Sequence, residues 1–203
     1  MNKRKHWLVI LSTLALAVCS AASVTAHFDS VSGNNQNGEY TYPYYISINT
    51  GTPTAMACDD FYHQSAVGNS WNANITSLAS GDVSLTRFND YDKYLQEAYL
   101  LEQIRPSNQS EWGNLNWAIW EIFNPGVTSP TPPGTLGQAY WYDLATSIDL
   151  SKVRTGGVFI VTPVEAHSSS GDQEFMYVTP EPGALLLVGS GVLGIWTRMR
   201  KRV

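Results

Sequence analysis

Two short apolar runs, each next to basic residues and each at an extreme end of the chain, confine folding to the residues between them. At the front, Lys3, Arg4 and Lys5 precede an apolar run from Leu8 to Ala17. A run of this length is too short for an ordinary membrane-spanning helix. A positive segment, an apolar segment and then small residues is the order of a secretory signal peptide. Val24-Thr25-Ala26 puts permissive residues at the cleavage positions, so residues 1–26 are expected to leave by a cut between Ala26 and His27. A lipoprotein signal through Cys19 fits less well, because branched Val18 precedes it where a small residue is wanted.

At the back, Thr179-Pro180-Glu181-Pro182-Gly183 is followed by 13 residues from Ala184 to Trp196 with no charge. The chain then closes on Arg198, Arg200, Lys201 and Arg202, a basic stop expected to stay cytoplasmic. The membrane-seeking segment, 184–197, is short against the roughly 20 residues of a comfortable span. Gly189, Gly191 and Gly194 weaken it further as a helix. A temporary anchor in the inner membrane fits this pattern better than a lasting one. A plain tail anchor would use the same basic cluster.

The order Pro180-Glu181-Pro182, apolar run, basic terminus resembles the PEP-CTERM sorting signal, over residues 179–202. The resemblance implies that an exosortase-like membrane protease recognises the Pro-Glu-Pro motif and removes the tail. It also implies a cell-surface or extracellular-matrix location, associated with biofilm or extracellular polysaccharide. It is silent on what the domain in between does.

That domain, 27–178, is strongly acidic. Only Arg87, Lys93, Arg105, Lys152 and Arg154 lie between the two terminal segments, whereas all 17 acidic residues lie from Asp29 to Glu181, so the domain together with Glu181 carries a net charge of −12. Phosphate backbones need clustered Lys and Arg, so nucleic acid is excluded as a partner. With Cys19 in the leader, Cys58 is alone in the domain and has no partner for an intramolecular disulfide.

The pattern along the domain predicts an α+β fold, a β-rich sandwich or barrel-like body with about three inserted helices. Residues 29–38, rich in Ser, Asn and Gly, read as a flexible lead-in. Strands are expected over Tyr40 to Asn49, interrupted by Pro43, and over Thr54 to Tyr62, which makes a hairpin around Gly51-Thr52-Pro53. A third strand is expected from Trp71 to Leu78. Apolar residues at helical spacing predict a helix over Asp90 to Ile104, stopped by Pro106. A second helix is expected from an N-cap at Ser110 to about Phe123, and a third over Thr135 to Ile148. Strands over Val158 to Val164 and Phe175 to Val178 complete the set.

Two phrases carry the candidate chemistry: Met56-Ala57-Cys58-Asp59 at a strand end, and Leu115-Asn116-Trp117-Ala118-Ile119-Trp120 on a helix. Together they resemble the thioester domains of bacterial surface adhesins, in which a strand Cys bonds to a Gln before an Ala-Ile-Trp-like phrase. Cys58 matches the Cys, and Asn116, one methylene shorter, stands where the Gln belongs. The resemblance implies a Cys58–Asn116 pair able to acylate an amine on a partner. The residues alone also allow Cys58 to be an ordinary buried side chain and Asn116 a backbone hydrogen-bonder. Acyl chemistry needs a base, and none is evident near Cys58. A Cys–His–Asn hydrolase from Cys58, His63 or His167, and Asn116 lacks a local signature. Asp59-Asp60 and Asn89-Asp90-Tyr91-Asp92 offer oxygen ligands without the spacing of a calcium loop. There is no phosphate loop, zinc spacing or nucleophile elbow, so a non-enzymatic protein without cofactor or metal is expected. Tyr40, Tyr42, Tyr44 and Tyr45, or Tyr140, Trp141 and Tyr142, are candidates to stack on sugar rings, though aromatics more often fill cores.

Overall fold

A computed structural model describes residues 23–36, 38–130, 135–166 and 171–179. Its strands are β1 (Val24–Val31), β2 (Asn35–Gln36), β3 (Glu39–Tyr40), β4 (Tyr44–Ile48), β5 (Thr54–Cys58), β6 (Ser70–Ser77), β7 (Val158–Pro163) and β8 (Phe175–Val178). Six of them close into an antiparallel barrel in the order β1-β4-β5-β8-β7-β6, and β2 pairs with β3 as a small ribbon. Three helices, α1 (Tyr91–Gln103), α2 (Trp112–Phe123) and α3 (Gln138–Ser147), lie between β6 and β7 in sequence. The expected α+β class is thus present, with the body a barrel rather than a sandwich.

Alternation along the strands makes two cores. Ala26, Phe28, Tyr44, Ile46, Met56, Cys58, Trp71, Val161 and Phe175 fill the barrel. Neighbours of opposite parity, Ala57, Ile160 and Met176, pack outward against Tyr94, Ala98, Leu115 and Ile119 of the helices. One wall of the barrel therefore has no polar face, which is why β7 reads as a continuous apolar run. Helix α2 is buried nearly all round, from Gly113 to Phe123, because it is wedged between the barrel and the other helices. A side chain at Gly113 would meet the end of the Gln36 side chain in the small ribbon and displace it.

Several expectations shift. Residues 29–38 are not a free lead-in. Strand β1 runs to Val31, with a bulge between Phe28 and Ser30, and the ribbon follows. Asp29 and Ser30, read locally as the start of a loop, instead continue a strand whose inward residues, Ala26 and Phe28, are buried. The second strand ends at Cys58 instead of Tyr62. Ser110 does not cap the second helix; it lies in a 3-10 turn, Pro106–Glu111, that precedes α2. Asp90 does cap α1, accepting from the Lys93 backbone N–H at 3.2 Å.

Candidate functional site

The site sits where the end of β5 meets α1 and α2. Cys58 is the last residue of β5 and points into the barrel, fully buried. Its thiol donates to the Asp60 carbonyl at 3.3 Å. Burial pushes this thiol well above its ordinary value, and the carboxylates of Asp60 and Asp59 push it further. Hydrogen bonding from the Asp60 backbone and the Trp120 side chain acts in the opposite direction. A buried neutral thiol is a poor nucleophile, because the thiolate is the attacking species.

Asn116, on the barrel-facing side of α2, is brought onto the same strand end. Its Nδ2 donates to the Cys58 carbonyl at 3.0 Å, and its Oδ1 accepts from the Tyr42 backbone N–H at 2.8 Å. Tyr42 lies just before β4, so one carboxamide ties α2 to two segments of the barrel wall. The structure does bring the two candidate residues together, through the Asn116 side chain and the Cys58 main chain.

Around them is a group of acids that the pairing did not anticipate. Asp59, Glu97 and Glu174 are each completely buried at the interface between barrel and helices. Glu174, one residue before β8, accepts from the Tyr94 hydroxyl at 2.5 Å, from the Arg87 backbone N–H at 2.9 Å, and from the Thr162 hydroxyl. Asp59 feels the charge of both Glu174 and Glu97. Burial raises the affinity of all three for protons. The neighbouring charges raise Asp59 further, with Glu174 the strongest of them, and Glu174 does the same to Glu97. Neither carboxyl oxygen of Asp59 or of Glu97 has a hydrogen-bond partner among the described residues, and burial without a partner favours the protonated, neutral form of these two. Among the described residues, no group of His, Cys, Asp and Glu is arranged to hold a metal ion.

Asp60 takes a separate part. Its carboxylate pairs with the Arg87 Nε at 2.8 Å and with the His63 Nδ1 at 2.8 Å. The Arg87 Nη1 lies 3.0 Å from the His63 Nε2, and its Nη2 donates to the Asp172 carbonyl at 2.6 Å. Gln173 adds a bond from its Nε2 to the Asp60 carbonyl at 3.1 Å. Both His63 nitrogens are thus taken up by Asp60 and Arg87. Among the described residues, no histidine bonds to the Cys58 thiol, and His167 lies outside them.

The aromatic candidates divide. Tyr44 belongs to the barrel core, Trp141 is buried with its indole donating to Glu111 at 3.0 Å, and Tyr42 packs edge-on against Trp112. Tyr40 and Tyr140 are exposed, at 53% and 46%. Tyr40 borders a cleft of about 250 Å³ lined also by Glu39, Gln64, Ser65 and Gln173.

Glu97 had a signal in the sequence. It occupies the same helical stripe as Tyr94, Ala98 and Leu101, where a charged residue has no water to face. Glu174 and Arg87 had none, since their meeting depends on how two distant segments pack. The sorting residues Pro180, Glu181 and Pro182, the segment 184–197, and the basic stop Arg198, Arg200, Lys201 and Arg202 all lie outside the described residues. Among the described residues, no helix is long and apolar enough to cross a membrane. No family model matches the chain, nor does any curated protein or solved structure.

Proposed function

We propose that this chain is an exported, non-enzymatic surface or extracellular-matrix protein, delivered by its leader and sorted by its PEP-CTERM-like tail. What carries the reading is the order of Pro180-Glu181-Pro182, uncharged segment and basic terminus directly after the folded domain. Strand β8 ends at Val178, and the Thr179 backbone N–H still donates to the Gly157 carbonyl at 2.8 Å. The sorting motif thus begins one residue beyond the last described contact of the barrel, where an exosortase-like protease would meet it in the inner membrane. The buried, protonated state of Cys58 supports a domain without a nucleophile. The cleft beside Tyr40, with an exposed aromatic ring and amide groups, is the place where an extracellular polysaccharide would be held.

The test is expression of the full chain with and without an exosortase, followed by intact mass of the surface or medium fraction. Loss of the tail after Thr179 to Pro182, dependent on the exosortase and abolished by Glu181→Ala, is the expected result. An intact tail on mature protein from exosortase-bearing cells sinks the reading.

The second reading is covalent adhesion through a Cys58–Asn116 thioester. The observation in its favour is the approach of the Asn116 carboxamide to Cys58. Loss of about 17 Da, the ammonia released when a thiol displaces a carboxamide nitrogen, followed by gain of an added amine, would establish it. An unmodified mass with one thiol, alkylated only after unfolding, leaves Asn116 as a structural clamp.

A further inference from the structure

We propose that the leader is removed upstream of β1, at the Ala22–Ser23 bond, and not at Ala26–His27. The inference rests on the export reading for its biological setting and on the barrel for its argument. Residues 24–26 form part of the seam that closes the barrel. Val24 pairs with Ala73, Thr25 with Asn72 and Ala26 with Trp71 across β6, which leaves His27–Ser70 as the one remaining pair of that ladder. Ala26 also pairs with Ile48 across β4 and is fully buried in the barrel core. Thr25 is fixed at both ends, since its carbonyl accepts from the Asn49 N–H at 2.7 Å and its N–H donates to the Asn49 Oδ1 at 3.1 Å.

A cut after Ala26 would strip these contacts. It would leave the β1-facing edge of β6 without a strand partner at Trp71 and Ala73, whose pairing with Ala26 and Val24 would be lost, while the β7 side of β6 keeps its pairing. It would also place a charged amine in the seam, between Ser47 and Ser70. Unpaired backbone groups in a barrel wall are costly, and closure is what relieves a sheet of its edges. Because export precedes folding, burial does not protect the Ala26–His27 bond itself. What decides the matter is which product folds.

The sequence offers a site that leaves the strand whole. Ser20-Ala21-Ala22 puts small residues at the positions signal peptidase reads. Hydrolysis adds one water across the Ala22–Ser23 bond, giving a carboxylate on Ala22 and an ammonium on Ser23. Ser23 is exposed, so the new charge stays in water. Cuts one residue to either side, starting the mature chain at Ala22 or Val24, spare the ladder equally.

The experiment is expression of the full chain in a Gram-negative host and N-terminal sequencing of the exported protein. A start at Ser23, or at Ala22 or Val24, is expected. A start at His27 overturns the proposal. Uncut chain confined to the cytoplasm would instead count against export, and a second measurement then decides the seam. Two chains beginning at Ser23 and at His27, both keeping the C-terminal tail, are compared by thermal melting. The shorter is expected to melt lower by on the order of 10 °C, or not to fold. Equal melting temperatures would overturn the proposal, because the seam would not need residues 24–26.

Discussion

At the scale of single residues, Asn116 shows how a group that invites a chemical reading can be structural. A thioester requires its carboxamide carbon at the sulfur of Cys58. The observed amide instead serves main-chain atoms of Cys58 and Tyr42 that no strand partner reaches. Removing a side chain that satisfies two buried backbone groups leaves both without a partner. Asn116→Ala should therefore destabilise the fold by about 2–4 kcal/mol, measured by urea denaturation, and leave Cys58 as protected from alkylation in the native state as before. The residue types at this site were legible, because a lone Cys on a strand end and a buried-looking Asn on an apolar helix both stand out. Which atoms of each would meet was not legible, since that depends on the half-turn by which α2 is rotated against β5.

At the scale of elements, α1 is the segment whose local and tertiary signals agree. Its apolar stripe and its stop before Pro106 appear in the sequence and recur in the structure, which adds the Asp90 cap. Asp90→Ala should cost about 1 kcal/mol, and Asp90→Asn much less, because the asparagine keeps the oxygen that accepts from the Lys93 N–H. Urea midpoints of the two variants check this. Strand β1 is the opposite case. Its inward residues, Ala26 and Phe28, are separated by His27, and the polar run from Asp29 onward looks like a linker when read locally. Only pairing with β4 on one side and β6 on the other reveals it as a stave of the barrel. The start of α2 was also misplaced by a local signal, since Ser110 has the right chemistry for a cap but sits within a turn set by Pro106.

At the scale of the whole molecule, the helices are joined to the barrel across a layer that contains Asp59, Glu97 and Glu174. Tyr94, Thr162 and the Arg87–Asp60 pair adjoin the same layer. Burial raises these carboxyl groups in the folded state above their ordinary values of 3.8 for Asp and 4.5 for Glu. The folded state therefore keeps protons that the unfolded chain has released. The resulting stability is complete below the ordinary carboxyl range and is lost as pH rises through the raised values. The urea midpoint should thus fall as pH rises above the ordinary carboxyl range. Glu97→Gln should flatten that decline, because an amide keeps the hydrogen-bonding shape without the charge. A midpoint that rises over the same range, or a Glu97→Gln slope equal to the parent's, would show that the layer does not hold neutral acids.

The sequence by itself determined that basic and apolar runs lie at both ends of the chain and an acidic stretch lies between them. It also determined the class and order of most elements. These are local properties, carried by charge, hydrophobic period and Pro or Gly punctuation within a few residues. Only the tertiary structure decided that six strands close into a barrel, that β1 begins before the expected cleavage point, and that three distant acids meet beside Cys58. Each of these depends on contacts between segments far apart in the chain, and no local pattern specifies which strand lies beside which or how a helix is turned upon them.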